Sequence, residues 1–313
     1  MEGQSLDVEQ REGKAGRYLG ILALLVATVI WGSTFVMTQS VLGQAGPFTV
    51  TALRFLFGLA VLCPFAYRQG FQAKLTVKPT FLAFGLTGVA LYFGLQNLGL
   101  VFTSAGNAAL IQAGIPAATA IISFIFLKER IPLRRLVGMT LAIAGVALVS
   151  STPGTVSGGR PVLGNLLIVG SVFAYGAYTV QGRCLRNQHY AATVTTSASF
   201  VTGLFLLIPV AVIEMCLTGL PKISLTGWLT LIYLGVIGSG LTLFLWNYAL
   251  RFVEATVAGL YVNLIPVVGL AFAWLGGEHV HVVQLIGGGM AIIGVLIGDV
   301  VVGQRSSGEV RKE

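Results

Sequence analysis

The sequence predicts an all-α integral membrane protein of ten transmembrane helices, built as two inverted five-helix repeats with both termini in the cytoplasm. Three observations predict it. The 313-residue chain is 55% hydrophobic and only 10% charged, whereas about a quarter of an ordinary soluble domain is charged. Uncharged apolar segments of about 20 residues, the length of a bilayer crossing, recur along nearly all of it. The third is a stretch written twice. NLGLVFTSAGNAALIQAGIP from Asn97 returns from Asn247 as NYALRFVEATVAGLYVNLIP, so that Asn97, Leu100, Ala105, Leu110 and Pro116 match Asn247, Leu250, Ala255, Leu260 and Pro266 at one shift of 150. A repeat of that size decides architecture before any single residue does.

Lipid offers no hydrogen bonds, so each span must satisfy its backbone internally and is a helix. A barrel is excluded, because its strands would alternate polar and apolar over about ten residues. Residues 1–17 are polar and form a tail. Spans follow at 18–40, 47–66, 80–100, 105–127, 133–151, 162–182, 191–213, 227–248, 255–275 and 281–302. The first is a retained helix rather than a leader, since it runs uncharged from Tyr18 past Leu42 with no small-residue cleavage site. The first repeat occupies 18–151 and the second 162–302; a linker at 152–161 joins them, and 303–313 is a second tail.

The net charge of +8 orients the chain rather than binding nucleic acid. With the N-terminus inside, the cytoplasmic segments hold Arg11, Lys14, Arg17, Arg68, Lys74, Lys78, Lys128, Arg130, Arg134, Arg135, Arg183, Arg186, Arg251, Arg305, Arg311 and Lys312. The opposite loops hold only Arg160 and Lys222, and Arg54 lies inside a span. Sixteen against two satisfies the positive-inside rule, and a missed helix would scramble it. Further matches extend the repeat: Gly20, Trp31 and Gly32 with Gly164, Tyr175 and Gly176 at a shift of 144; Gly58 and Pro64 with Gly203 and Pro209 at 145; Gly138 and Gly145 with Gly287 and Gly294 at 149. Glu129 and Glu278 close the two copies of the opening stretch. Five helices per repeat is an odd number, so the copies insert in opposite orientation, as in many secondary transporters.

Other chemistries lack their residues. Cys63, Cys184 and Cys216 are isolated and follow no disulfide or zinc spacing. There is no G-x-x-x-x-G-K-[ST] phosphate loop. No Asp or Glu lies mid-span; Glu129, Glu214, Glu254, Glu278 and Asp299 all sit near ends. An intramembrane enzyme would need a nucleophile–base pair or a metal triad at depth, and His279 and His281 stand together only at a helix end. The expectation is no enzyme, no cofactor and no metal.

The segments WGSTFV at 31–36, TALRFLFG at 51–58, YFGLQNLGLVFTSAGNAALI at 92–111 and LKERIPLRRLVGMTLAIAGVAL at 127–148 resemble the EamA-type repeat of the drug/metabolite transporter superfamily. LWNYALRFVEATVAGLYVNLIPVVG at 245–269 and LGGEHVHVVQLIGGGMAIIGVLI at 275–297 resemble its second copy. The resemblance covers everything between the tails. It implies a secondary transporter of the cell (inner or plasma) membrane that moves a small metabolite, most often outward, along a path lined by helices 1, 3, 4, 6, 8 and 9. SASFVTGLF at 197–205 departs from the pattern, so the arginine of TALRFLFG is not duplicated.

Candidate site residues are those whose polar or amphipathic side chains fall inside spans, where such groups face a bundle interior or a water-filled cavity. They are Trp31 and Thr34 on helix 1; Tyr92, Gln96 and Asn97 on helix 3; Asn107 and Gln112 on helix 4; Tyr175 and Tyr178 on helix 6; Trp246 and Asn247 on helix 8; and Tyr261 and Asn263 on helix 9. Gln112, Pro116, Thr119 and Ser123 form one polar stripe, which either lines a cavity or bonds a neighbouring helix. Pro116 and Pro266 each free a carbonyl one turn back, serving as a bend beside the path, a pivot or a static kink. Arg54 is the one charge deep in a span; the resemblance, which includes this arginine across varied substrates, favours a structural or gating role. A cavity of amides, hydroxyls and aromatics suits an amino acid or a related neutral or zwitterionic solute. The alternatives are a carrier of organic cations, drugs or nucleotide-type metabolites, and a non-transporting sensor or scaffold. Its partners are that solute and the bilayer, in a monomer or a homodimer.

Overall fold

The computed structural model describes residues 2–128, 133–150, 160–186, 190, 192–249, 252, 261 and 264–299. Asn263, Glu129, the linker at 152–159, the first part of the ninth span and the tail at 303–313 lie outside them. Among the described residues the chain is helical and contains no strand. Its helices are α1 (Glu2–Leu42), α2 (Pro47–Arg68), α3 (Pro79–Leu100), α4 (Ala105–Leu127), α5 (Leu133–Ser150), α6 (Pro161–Arg186), α7 (Ala192–Thr218), α8 (225–249), α9 (Ile265–Leu275) and α10 (Val282–Asp299). Among the described residues seven stretches are long and apolar enough to cross a membrane: Gly16–Leu42, Pro47–Arg68, Pro79–Leu100, Ala105–Leu127, Pro161–Gly182, Thr193–Thr218 and Leu225–Trp246. Shorter apolar helices lie in α5, α9 and α10.

Two local features depart from the expectation. Residues 2–17, read as a polar tail, continue the helix of α1; nothing from Glu2 to Leu42 is a proline, so no residue forces a break. Inside α3 and α8 the helix widens to π geometry at Leu86–Leu91 and Tyr233–Leu241. These segments overlap under the 150-residue shift, since 86 + 150 = 236 and 91 + 150 = 241. A π turn leaves carbonyls off the regular ladder, and side chains take them: Ser239 Oγ donates to Leu234 O at 3.1 Å and Thr242 Oγ1 to Ile237 O.

Polarity is distributed for lipid. Outward-facing positions carry Leu22, Val29, Phe124, Phe126, Phe205, Ile213, Phe244, Trp274 and Ile293, all exposed. Thr28, Thr38, Thr51, Arg54, Gln96, Asn97, Asn107, Gln112, Asn165, Ser171 and Gln284 are buried. Hydrocarbon cannot satisfy a polar side chain, so such groups face inward, where Asn97 bonds Thr51, Gln112 bonds Gln96, Gln284 bonds Asn107 and Ser171 bonds a backbone carbonyl.

Helix contacts repeat with the sequence. Gly145 approaches Gly287 so closely that a Cβ on Gly145 would stand 2.4 Å from the Gly287 carbonyl oxygen, and one on Gly294 would stand 2.4 Å from that of Gly138. Exchanging the repeats turns one of these contacts into the other, and α5 and α10 cross antiparallel. The pairs Gly58–Gly235 and Gly203–Gly85 are related in the same way, joining α2 to α8 and α7 to α3. So are Gly32–Gly269 and Gly176–Thr119, joining α1 to α9 and α6 to α4. Small residues at each crossing let the backbones meet, which is where helix association gains its packing in an apolar solvent. The two repeats are thus interleaved about a pseudo-two-fold axis that passes between α2 and α7 and between α5 and α10.

Candidate functional site

On that axis lies a cavity of about 360 Å3. Ten pairs of its lining residues are repeat equivalents: Trp31/Tyr175 and Thr34/Tyr178 at a shift of 144, Arg54/Ser199 and Phe55/Phe200 at 145, and Gly88/Gly238, Val89/Ser239, Phe93/Leu243, Gln96/Trp246, Ile115/Ile265 and Pro116/Pro266 at 150. Tyr92, Gln112 and Thr196 also reach it, and among the described residues no aspartate or glutamate does.

The helix breaks place the polar groups. α4 begins with Ser104 capping it, its hydroxyl accepting the Asn107 N–H at 3.1 Å. It tightens to a 3-10 turn at Gln112–Gly114 and restarts at Ile115 with Pro116 in its first turn, where a proline lacks only a donor the helix would not use. Pro266 opens α9 in the same way. The tightened turn presents Gln112, whose Nε2 donates to Gln96 Oε1 at 3.0 Å and whose Oε1 has no partner. Across the cavity, Arg54 Nε donates to Ser239 Oγ at 3.1 Å and Nη2 to the Gly238 carbonyl at 3.4 Å, both on the π segment of α8. The guanidinium carbon stands 4.7 Å from the Phe93 ring centroid, a cation–π distance. Arg54 Nη1 has no partner.

Aromatic rings make the walls. Trp31 and Trp246 meet with centroids 5.6 Å apart, one ring from each repeat. Tyr92 lies 4.6 Å from Tyr175, which lies 5.5 Å from Tyr178, and Tyr178 stacks on Phe84 at 4.1 Å. The chamber therefore offers flat apolar faces, and among its lining residues Gln112 Oε1, Arg54 Nη1 and Ser199 Oγ are buried without a partner.

Eleven of the residues singled out from sequence line this cavity: Trp31, Thr34, Tyr92, Gln96, Gln112, Tyr175, Tyr178, Trp246, Pro116, Pro266 and Arg54. Three do not. Asn97 turns the other way, its Nδ2 donating to Thr51 Oγ1 on α2 at 2.8 Å. Asn107 Oδ1 accepts from Gln284 Nε2 on α10 at 2.6 Å. Tyr261 packs near Ala23 and Leu24 of α1, and its carbonyl accepts the Thr28 hydroxyl at 3.3 Å. In each case the contacts made are with a neighbouring helix outside the chamber. The Asn247 side chain and Asn263 lie outside the described residues. Sequence reasoning named helices 1, 3, 4, 6, 8 and 9 as lining and missed α2 and α7 apart from Arg54. Phe55, Thr196, Ser199 and Phe200 come from these. The signal was present in the alignment of TALRFLFG with TSASFVTG, which pairs Arg54 with Ser199.

Two stretches, 18–151 and 162–297, match the model of the EamA-like transporter family. The chain belongs to that family. An uncharacterized transporter of Bacillus subtilis, YyaM, is 28% identical over 287 residues, covering 90% of this chain and 93% of its own. An uncharacterized transporter of Archaeoglobus fulgidus is 28% identical over 282 residues, 88% of this chain and 97% of its own. A protein of Streptantibioticus cattleyicolor named a probable terminal-alkyne amino-acid exporter is 27% identical over 284 residues, 88% and 92% of the two chains. A solved crystal structure, 19% identical, superposes with a TM-score of 0.62 over 93% of this chain and 98% of that one, so the EamA-type chain shares its fold. Family and helices together make this a multi-pass membrane protein of transporter kind.

Proposed function

We propose that the protein is a secondary carrier that crosses the membrane ten times with both termini in the cytoplasm. It moves a small neutral or zwitterionic metabolite, an amino acid or a close relative, outward through the central cavity. The observation that carries this reading is the set of ten repeat-equivalent pairs around one chamber. Two similar units in opposite orientation give inward-open and outward-open arrangements of similar energy, and a substrate on their shared axis is handed from one to the other. The lining residues Trp31, Thr34, Tyr92, Gln96, Gln112, Tyr175, Tyr178 and Trp246 are the proposed substrate contacts, and Pro116, Pro266 and Arg54 the proposed hinge or gating residues. The sixteen-to-two charge asymmetry supports the orientation. The name of the Streptantibioticus cattleyicolor relative supports an amino-acid cargo and export. A fixed guanidinium on the wall weighs against an organic cation.

The test is flux in proteoliposomes, with and without imposed pH and sodium gradients, over a panel of amino acids, amines, nucleobases and sugars. At least one amino acid should move faster than in empty vesicles. A panel in which no solute does so would sink the carrier reading.

A further inference from the structure

Arg54 is 2% exposed, and its three hydrogen-bonding or ring neighbours, Ser239, Gly238 and Phe93, are all neutral. Among the described residues no carboxylate lines the chamber to balance it. A charge buried in this way is costly unless it is paired. Packing does not account for it. The equivalent residue on α7 is Ser199, and the helix crossing there, Gly203 on Gly85, is the counterpart of Gly58 on Gly235 beside Arg54. One copy makes the contact with a serine, so the arginine supplies something the crossing does not need. Its Nε and Nη2 are spent on the π segment of α8, which fixes the plane of the guanidinium, while Nη1 is buried without a partner on a residue that lines the cavity.

We propose that Arg54 is the carboxylate anchor of the cavity, and therefore that the substrate carries a carboxylate whose oxygen takes the Nη1 hydrogen bond. This rests on the carrier reading and narrows it. A charge-assisted N–H···O bond supplies the missing counter-charge and fixes the end of the substrate. Gln112 Oε1, unpartnered and on a residue 6% exposed, then accepts from a donor elsewhere on the molecule, and the Trp31 and Trp246 rings take its apolar part. Two sources share this chemistry, α-amino acids and plain monocarboxylates, and the test separates them.

The full chain in lipid nanodiscs is titrated with three probe sets built on leucine, phenylalanine and threonine. Each set contains the amino acid, the same acid without its amino group, and the amino acid amide; thermal stabilisation is the readout. In at least one set a carboxylate form should bind about 30-fold or more tighter than the amide. Equal affinity of amino acid and deaminated acid would assign the site to carboxylates at large, and preference for the amino acid to zwitterions. Arg54→Gln should erase the acid-over-amide preference, and Arg54→Lys, which keeps the charge for insertion, should restore part of it. Amides binding as well as acids in the unaltered protein would overturn the anchor. So would failure of every carboxylate probe to bind, or a preference that survives in Arg54→Gln. Carboxylate binding without any flux in vesicles would uphold the anchor and remove the carrier reading instead.

Discussion

The Glu278 carboxylate, three residues beyond α9, accepts the backbone N–H of Ala105 at 2.8 Å and that of Gly106 at 3.0 Å, capping the first turn of α4. Glu214 at the far end of α7 does the same for α2, accepting from the Thr49 N–H and hydroxyl, each at 2.8 Å. Each carboxylate belongs to the second repeat and each helix start to the first, so both contacts tie the copies together at one end of the bundle.

Glu278→Ala should lower stability by about 1 kcal/mol, the usual cost of losing an N-terminal cap. Glu278→Gln keeps an acceptor oxygen and should lose less. Thermal unfolding of the purified protein in detergent checks both, and an alanine variant as stable as the parent would show that the cap is idle.

Gly145→Leu should destabilise by about 1–3 kcal/mol or more, because its Cβ would meet the Gly287 carbonyl at 2.4 Å with backbone on both sides. Gly43→Ala, where a Cβ meets nothing within 4 Å, is the matched control and should be neutral. The folded fraction after solubilisation, followed by size-exclusion fluorescence, reads the contrast.

Gln96→Ala and Trp246→Ala should each weaken substrate affinity by about tenfold, the worth of one hydrogen bond or one buried ring face. Asn97→Ala should behave differently. It removes the bond to Thr51 and costs about 1 kcal/mol of stability, with the KM for transport unchanged. Full affinity and rate in Gln96→Ala or Trp246→Ala would remove that residue from the site.

Pro116→Ala and Pro266→Ala, tested singly, should change transport rate more than affinity. Each proline stands where its helix restarts beside the cavity, so alanine releases the backbone angle that the ring holds and loosens the joint. Unchanged rates at normal expression would leave these prolines only a packing role.

How far the sequence reached differs residue by residue. Pro116 and Pro266 announced their helix breaks, because proline acts on its own backbone. Gly138, Gly145, Gly287 and Gly294 announced a repeat but not that they touch in swapped order, since that depends on which helices lie side by side. Asn97 and Gln96 are adjacent on the chain and equally polar, yet they diverge: Gln96 meets Gln112 and Asn97 meets Thr51. A one-residue step turns a helix by about 100°, and only the position of the neighbouring helices says which direction is the cavity. The π segments of α3 and α8 went unforeseen, because no residue type demands them.

The sequence by itself determined the membrane environment, the duplicated unit and the depth of the polar residues. Those follow from composition and from order along the chain, which any arrangement of the helices would preserve. The tertiary structure decided which polar atoms satisfy one another and which are left over. Arg54 finds Ser239 at a separation of 185 positions, while its Nη1 is buried without a partner. An unpartnered atom is a property of the whole packing, and a linear pattern of residues does not contain it.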